Sequence, residues 1–497
     1  MTLISLSLLL LLLVLLAWFR PPLLLAAILL MLHLATSAFF LQGPWLIIFP
    51  VLLTITLLIL VVPLRRQLLT RPIFSLFRRL LPPMSATERE ALEAGTVWWD
   101  KEFFSGRPNW RRMLAEPAAT LSPEEQAFVD GPVEELCGLL NDWEIVHDLH
   151  DLPPEAWRVL KEKGFFGMII PKEYGGLGFS ALAHSTVIMK LASRSVTAAV
   201  TAMVPNSLGP AELLLHYGTQ EQKNHYLPRL ARGIEVPCFA LTGPDAGSDA
   251  ASIPDFGILC RGSFEGKELI GIRLTFEKRY ITLAPVATVI GLAFQLRDPD
   301  HLLGAVEELG ITCALVPATL PGITIGSRHD PLGVPFQNGP IWGKEVFIPV
   351  DFIIGGVSGA GQGWKMLMES LAAGRGISLP ALSTGAGKLV SRGVGGHARI
   401  RKQFNLPIGR FEGVEEALAR IAGSSYLLDA ARIVTCGAID QGMKPSVISA
   451  IVKYHSTERM RQIVNDGMDV SGGNGICLGP RNYLGHPYQS APIGITV

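Results

Sequence analysis

The stretch Cys238-Phe239-Ala240-Leu241-Thr242-Gly243-Pro244-Asp245-Ala246-Gly247-Ser248-Asp249-Ala250-Ala251 decides how the rest of the chain is read. A short apolar run, Phe239 to Leu241, ends in Thr242 and gives way to small and turn-forming residues. Gly243, Pro244 and Gly247 let the backbone turn tightly and come close to a bound group. Thr242 and Ser248 add hydroxyls on either side of the bend, so amide N–H and O–H donors converge on a small volume. Such a volume suits an electron-rich heterocycle whose reduced form carries negative charge, a flavin above all. Taken alone, a Gly/Pro/Asp cluster of this kind is most often a plain loop.

The 497 residues around it are too many for one ordinary domain, so two or three are expected. Lys plus Arg and Asp plus Glu balance at 43 each, which leaves no basic field for nucleic acid. Six scattered cysteines, with no C-x-x-C spacing, argue against a zinc site or a disulfide framework and fit a reducing compartment. Met1 to Leu64 carries Arg20 as its only formal charge and holds three apolar runs, about Leu3–Phe19, Leu23–Leu41 and Trp45–Val62. Each is close to the roughly twenty residues that cross a bilayer, so residues 1–64 are expected to form two or three transmembrane segments. A cleaved signal peptide fits poorly, because no basic region opens the chain. Arg65, Arg66, Arg71, Arg78 and Arg79 follow, and the positive-inside rule would hold the remaining chain in the cytoplasm.

Residues 65–121 read as a connector. From Ser122-Pro123-Glu124-Glu125, an N-cap with Pro at the first helical position, the pattern is helical to about residue 235. Strands are expected over residues 236–355, at Gly257–Cys260, Glu268–Phe276, Tyr280–Leu283, Ala287–Gln295, Ile311–Val316 and Lys344–Ile348. Helices return over 356–497. One puts Val414, Leu418, Ile421 and Leu428 on a single face, and another opens at Lys444-Pro445-Ser446. The fold class is therefore α+β: a helical domain, a middle sheet domain and a second helical domain, behind an apolar N-terminus. Gly393-Val394-Gly395-Gly396-His397-Ala398 matches a dinucleotide fingerprint in letters, but its surroundings look helical and no βα alternation follows.

Several stretches, in one order, resemble the acyl-CoA dehydrogenase family. Gly167–Gly178 resembles its P-x-E-Y-G-G-x-G block, and Gly218–Lys223 its G-T-x-E-Q-K helix. Thr242–Asp249 is similar to its T-E-P-x-A-G-S-D flavin loop, Arg401–Phe404 to its R-x-Q-F, and Gly472–Gly475 to its G-G-N-G turn. The likeness covers about Ser122 to Val497. Within the family, the apolar N-terminus and connector resemble the large membrane-associated enzymes of proteobacterial fatty-acid β-oxidation.

The resemblance implies an FAD enzyme that dehydrogenates fatty acyl-CoA to trans-2-enoyl-CoA and hands electrons to an electron-transfer flavoprotein at the cytoplasmic face of the bacterial inner membrane. A non-catalytic acyl-CoA or flavin-binding membrane protein and an acyl-CoA oxidase of the same fold are the alternatives. Phe239, Leu241 and Thr242 would lie along the flavin ring, and Ser248 would face both acyl-CoA and cofactor. Tyr280-Ile281-Thr282 stands where the family has W-I-T or W-I-S, so Tyr280 and Thr282 would sit against the ring. Arg401 and Gln403 would reach the FAD of a neighbouring subunit, which implies a dimer or tetramer. Asp469, Gly472 and Gly473 would close over the adenine end, and Gly374 and Arg375 would hold the thioester end of the substrate. Gly243 departs from the family, which usually has Glu there.

The general base of the family is a Glu shortly after G-G-N-G. The run Gln489–Val497 resembles the approach to it, which places the base immediately after Val497 and outside the sequence. The position used by some relatives is Gly374. Asp466 and Asp469, the nearest carboxylates in sequence, read as caps or cofactor-side groups. A chain truncated in this way is expected to bind FAD weakly or not at all, and not to dehydrogenate acyl-CoA.

Overall fold

The computed structural model describes residues 2–38, 51, 54–55, 62–84, 89, 93, 95–207 and 209–496. The chain falls into two compact units, Met1–Ser85 and Ala86–Val497. In the first, α1 (Thr2–Phe19) and α2 (Leu23–Ala38) are separated at Arg20-Pro21-Pro22, and α3 (Arg71–Leu80) carries Arg71, Arg78 and Arg79. Arg20 takes a left-handed backbone, φ 43°, and the two prolines cannot donate to a continuing helix. The break leaves α1 with 18 residues and α2 with 16. Among the described residues no helix is long and apolar enough to cross a membrane, which corrects the expectation of transmembrane segments there. The third apolar run, Trp45–Val62, lies almost wholly outside the described residues.

In the second unit Trp99, Phe103 and Trp110 form an aromatic trio, with ring centroids 4.9 to 5.8 Å apart, that buries Trp99 in the connector. The first helical layer runs α4 (Pro123–Asp130), α5 (Pro132–Leu139), α6 (Pro154–Glu162), α7 (Ala181–Ala192), α8 (Val196–Ser207), α9 (Pro210–Tyr217) and α10 (Gln220–Ala231). Ser122 caps α4 in a reciprocal capping box with Glu125, and Thr219 does the same for α10 with Gln222.

The sheet follows: β1 (Pro237–Ala240), β2 (Phe256–Phe264), β3 (Lys267–Thr282), β4 (Val289–Arg297), β5 (Glu308–Pro317), β6 (Ile323–Ile325) and β7 (Asn338–Pro349). Its order is β1-β4-β2-β3-β7-β6, with β5 on the other edge of β4. Four long-chain helices close the unit: α11 (Gly363–Ile400), α12 (Glu412–Asp440), α13 (Ser446–Ser471) and α14 (Gly485–Thr496), with a two-stranded hairpin, β8 (Lys402–Gln403) and β9 (Leu406–Pro407), between α11 and α12. The main core joins α7 and α8 to the sheet through Val187, Ile188, Leu191, Val200, Ile272, Ile290 and Phe294. A separate core in the helical bundle centres on Val390, Val394, Ile421, Ile463 and Val464. The Gly393–Ala398 fingerprint letters lie inside α11, where no phosphate-binding turn exists.

Two strands expected separately, 268–276 and 280–283, are one strand of 16 residues. The polar triplet Glu277-Lys278-Arg279 reads as a turn, yet Lys278 is buried in midstrand against a carboxylate, and that pairing lets the strand continue.

Candidate functional site

β1 and β2 lie one after the other along the same edge of β4. Pro237–Ala240 pair in parallel with Val289–Leu292, and Phe256–Ile258 with Gln295–Arg297. Between them residues 241–255 leave the sheet as a ribbon. β3 runs past the start of β2, since Phe256 pairs with Thr275, and its last seven residues face the ribbon instead. Arg279 N donates to Thr242 O at 2.9 Å, and Glu277 N donates to Asp255 Oδ1 at 2.8 Å. Lys278 Nζ donates to Leu241 O at 2.9 Å and to Asp255 Oδ2 at 2.6 Å. Both side chains of that ion pair are shut away from water, 0% and 2% exposed. Burial pulls the Lys278 ammonium below its usual range, and Asp255 works against that pull. Sequence reasoning missed both residues; the only signal was a lone Lys flanked by strand residues.

Gly243 N donates to Ala246 O at 3.1 Å, which makes the tight turn expected there. A Cβ on Gly243 would come within 2.9 Å of Glu277 O, so the ribbon passes too close to β3 for a larger residue. Cys238, which opens the stretch, is fully buried; burial pushes its thiol far up, and it acts as a packing residue.

Phe239 and Leu241 are half-buried and pack against the core beneath α9 and α10, Phe239 filling the space above Gly291 next to Pro210. Thr242 is half-buried, and among the described residues neither its backbone N–H nor its hydroxyl has an intramolecular partner. Ser248 is exposed at the outer end of the ribbon. Tyr280 sits at a bulge of β3 with φ 60°, 65% exposed, its ring 5.1 Å from that of His329. Asn338 Nδ2 donates to Tyr280 O at 3.0 Å and to Thr282 Oγ1 at 3.2 Å, and Asn338 Oδ1 lies 2.8 Å from His329 Nδ1. Thr242 thus lies beside the end of β3 through the Arg279 bond, and Asn338 ties Tyr280 to Thr282 there.

The remaining expected site residues lie elsewhere. Gly374 is buried in α11, where a Cβ would meet Ser207 O at 3.1 Å, so α8 closes directly over it. Asn206, beside Ser207, fixes this corner by donating to Phe165 O at 2.7 Å and accepting from Ile169 N at 3.2 Å. Arg375 is exposed; burial, with the Arg375 charge added, lowers the pKa of Lys453, whose Nζ donates to Ile495 O at 2.8 Å. Arg401 and Gln403 lie at the hairpin beyond the far end of α11, a helix about 57 Å long by its rise per residue. Both are exposed, so this chain does not bring them to the ribbon. Gly472, φ 55° and ψ −131°, ends α13 in a conformation open to Gly, and Gly473 and Asp469 beside it are exposed. Asp466 lies inside α13 rather than at a cap, and Arg420 holds it in a two-point ion pair at 3.0 and 3.1 Å.

The G-T-x-E-Q-K block proves to be structural. Gln222 Nε2 donates to Asp351 O and Ile353 O at 2.9 and 2.6 Å, and Gln222 Oε1 accepts from Thr219 N and Gly355 N at 3.1 and 3.0 Å. The side chain thereby ties α10 to the turn after β7.

A helical domain, a mixed sheet and a helical bundle, with a glycine-rich ribbon leaving the sheet between β1 and β2, define the acyl-CoA dehydrogenase fold. Residues 126–234 match the family model for the acyl-CoA dehydrogenase N-terminal domain, and residues 361–493 that for the C-terminal domain. The probable acyl-CoA dehydrogenase FadE10 of Mycobacterium tuberculosis is 30% identical over 399 residues, 78% of this chain and 58% of that one. A 3-(aryl)acrylate reductase of Clostridium sporogenes is 31% identical over 329 residues, 65% of this chain and 81% of that protein. The crystal structure of an acyl-CoA dehydrogenase from Geobacillus kaustophilus superposes with a TM-score of 0.66 at 22% identity, covering 76% of this chain and 95% of that one. The chain belongs to the acyl-CoA dehydrogenase family. It spans 58% of the length of FadE10.

Proposed function

We propose that the protein is an FAD-dependent dehydrogenase of fatty acyl-CoA thioesters that passes electrons to an electron-transfer flavoprotein. The observation that carries the reading is Thr242, whose amide and hydroxyl donors have no partner among the described residues, on a ribbon pinned at each end. That donor set fits the carbonyl and nitrogen edge of a flavin, and the close approach at Gly243 keeps side chains out of the way. Bound FAD would supply hydride acceptance. Phe239 and Leu241 would support the ring from the apolar side, while Tyr280 and Thr282 would flank it from β3. Asn338 holds the Tyr280–Thr282 segment in place through two hydrogen bonds.

Arg401 and Gln403 would reach the diphosphate of FAD in a second subunit, which accounts for their exposure and their distance from the ribbon. A guanidinium suits diphosphate oxygens. Asp469, Gly472 and Gly473 would line the adenine end. Arg375 would face the thioester end of acyl-CoA, and Ser248 would lie between substrate and cofactor. Gly374 offers no carboxylate at the alternative base position, and α8 fills the space beside it. Anaerobic addition of acyl-CoA to FAD-loaded protein is expected to shift the visible flavin bands as the thioester binds against the ring. Bleaching by NADH with no response to any acyl-CoA would refute the substrate class.

A further inference from the structure

We propose that Lys278 is a positioning residue that sets the donor strength of the Leu241–Thr242 peptide and thereby raises the reduction potential of the FAD held there. The inference rests on the FAD reading above. Leu241 C=O and Thr242 N–H are the two ends of one peptide unit. Lys278 Nζ binds the carbonyl end at 2.9 Å, and the N–H end is free of any intramolecular partner among the described residues. An ammonium on a carbonyl oxygen withdraws electron density through the amide and makes the N–H opposite a stronger donor. The same ammonium bridges to Asp255, so it joins the first residue of the ribbon to the last, and Arg279 N holds Thr242 O alongside.

A pure fastener would not need charge. Neutral Gln and Asn side chains could bond Leu241 O and Glu277 N just as well, without the lost hydration of two ions that a fully buried ion pair carries. Lys278 and Asp255 instead meet at 2.6 Å with no access to water, at the carbonyl end of the peptide whose N–H would point to the place where a reduced flavin gathers negative charge. A polarised donor aimed at that place favours the reduced form over the oxidised one.

The test compares wild type with two neutral double variants, Lys278→Met/Asp255→Leu and Lys278→Gln/Asp255→Asn, the second keeping polar groups at both positions. Each is loaded with FAD and equilibrated with a redox dye of known potential. At a dye setting where wild-type flavin is half reduced, the reduced-to-oxidised ratio in the variants is expected to fall about ten-fold. Lys278→Arg, which keeps the charge, should restore most of that ratio. FAD-loaded variants with the wild-type ratio, whatever their melting temperatures, would overturn this inference alone. Wild-type protein that takes up no FAD would overturn it together with the function on which it rests.

Discussion

Replacing His184 with leucine should make the protein less sensitive to acid. His184 lies on α7 at 0% exposure, and neither ring nitrogen has a hydrogen-bond partner among the described residues. Its neighbours on the same helix face, Val187, Ile188 and Leu191, belong to the main core. Burial pushes the imidazole from 6.5 down to about 4. The folded protein therefore resists a proton that the unfolded chain accepts readily. Stability from this group is complete above the unfolded pKa, declines as pH falls from about 6.5 towards 4, and is fully lost below that. Over the whole window the loss is about 3 kcal/mol, and by about pH 5 it is already about 2 kcal/mol. Urea unfolding at about pH 7.5 and about pH 5 should show wild type losing about 2 kcal/mol more than His184→Leu between the two conditions. Carboxylates elsewhere contribute equally to both proteins and cancel in the comparison. At the higher pH the variant should be as stable as wild type or more so, since it removes unpaired buried polar atoms. Equal losses in the two proteins would show that His184 is hydrated or paired in solution and that this account of α7 is wrong.

Gly243→Ala should destabilise the protein by about 1–3 kcal/mol, because the new methyl meets Glu277 O at 2.9 Å; an unchanged melting temperature would mean the ribbon does not run that close to β3. Gln222→Leu should cost about 2–4 kcal/mol in urea unfolding, since it strips partners from Thr219 N, Gly355 N, Asp351 O and Ile353 O together. A change within about 0.5 kcal/mol would show that these groups find water instead. Asp466→Leu should destabilise the bundle through the loss of the Arg420 pair while leaving FAD affinity within about three-fold; a selective loss of FAD would return Asp466 to the cofactor side.

What the sequence discloses is mostly local chemistry. Ser122-Pro123-Glu124-Glu125 announces its capping box because every partner lies within four residues, and the structure builds it as read. The passage from helices to strands near residue 236 is equally plain, since the hydrophobic period itself changes there. Lys278 shows the opposite case. A charged triplet in a strand reads as a turn unless its partner is known, and Asp255 is 23 residues away. Gln222 is visible as a cap, but not as the tie to Asp351 and Ile353, which reaches more than a hundred residues along the chain. Among the site residues, the ribbon and the end of β3 come together as the motifs suggest. Arg401 and Gln403 do not, because a 38-residue helix carries them away. The first break in the apolar N-terminus is also legible, since the runs read from the sequence stop at Phe19 and resume at Leu23, where Arg20-Pro21-Pro22 separates α1 from α2.

The central claim is that the ribbon after Leu241 holds an isoalloxazine through the free donors of Thr242. Titration of FAD into the purified protein, followed by the shift of the visible flavin bands, tests it most directly when run beside Thr242→Val. The account predicts saturable uptake of one FAD per chain, however weak, with affinity lowered about ten-fold in the variant. No saturable uptake, or binding untouched by loss of the hydroxyl, would contradict it.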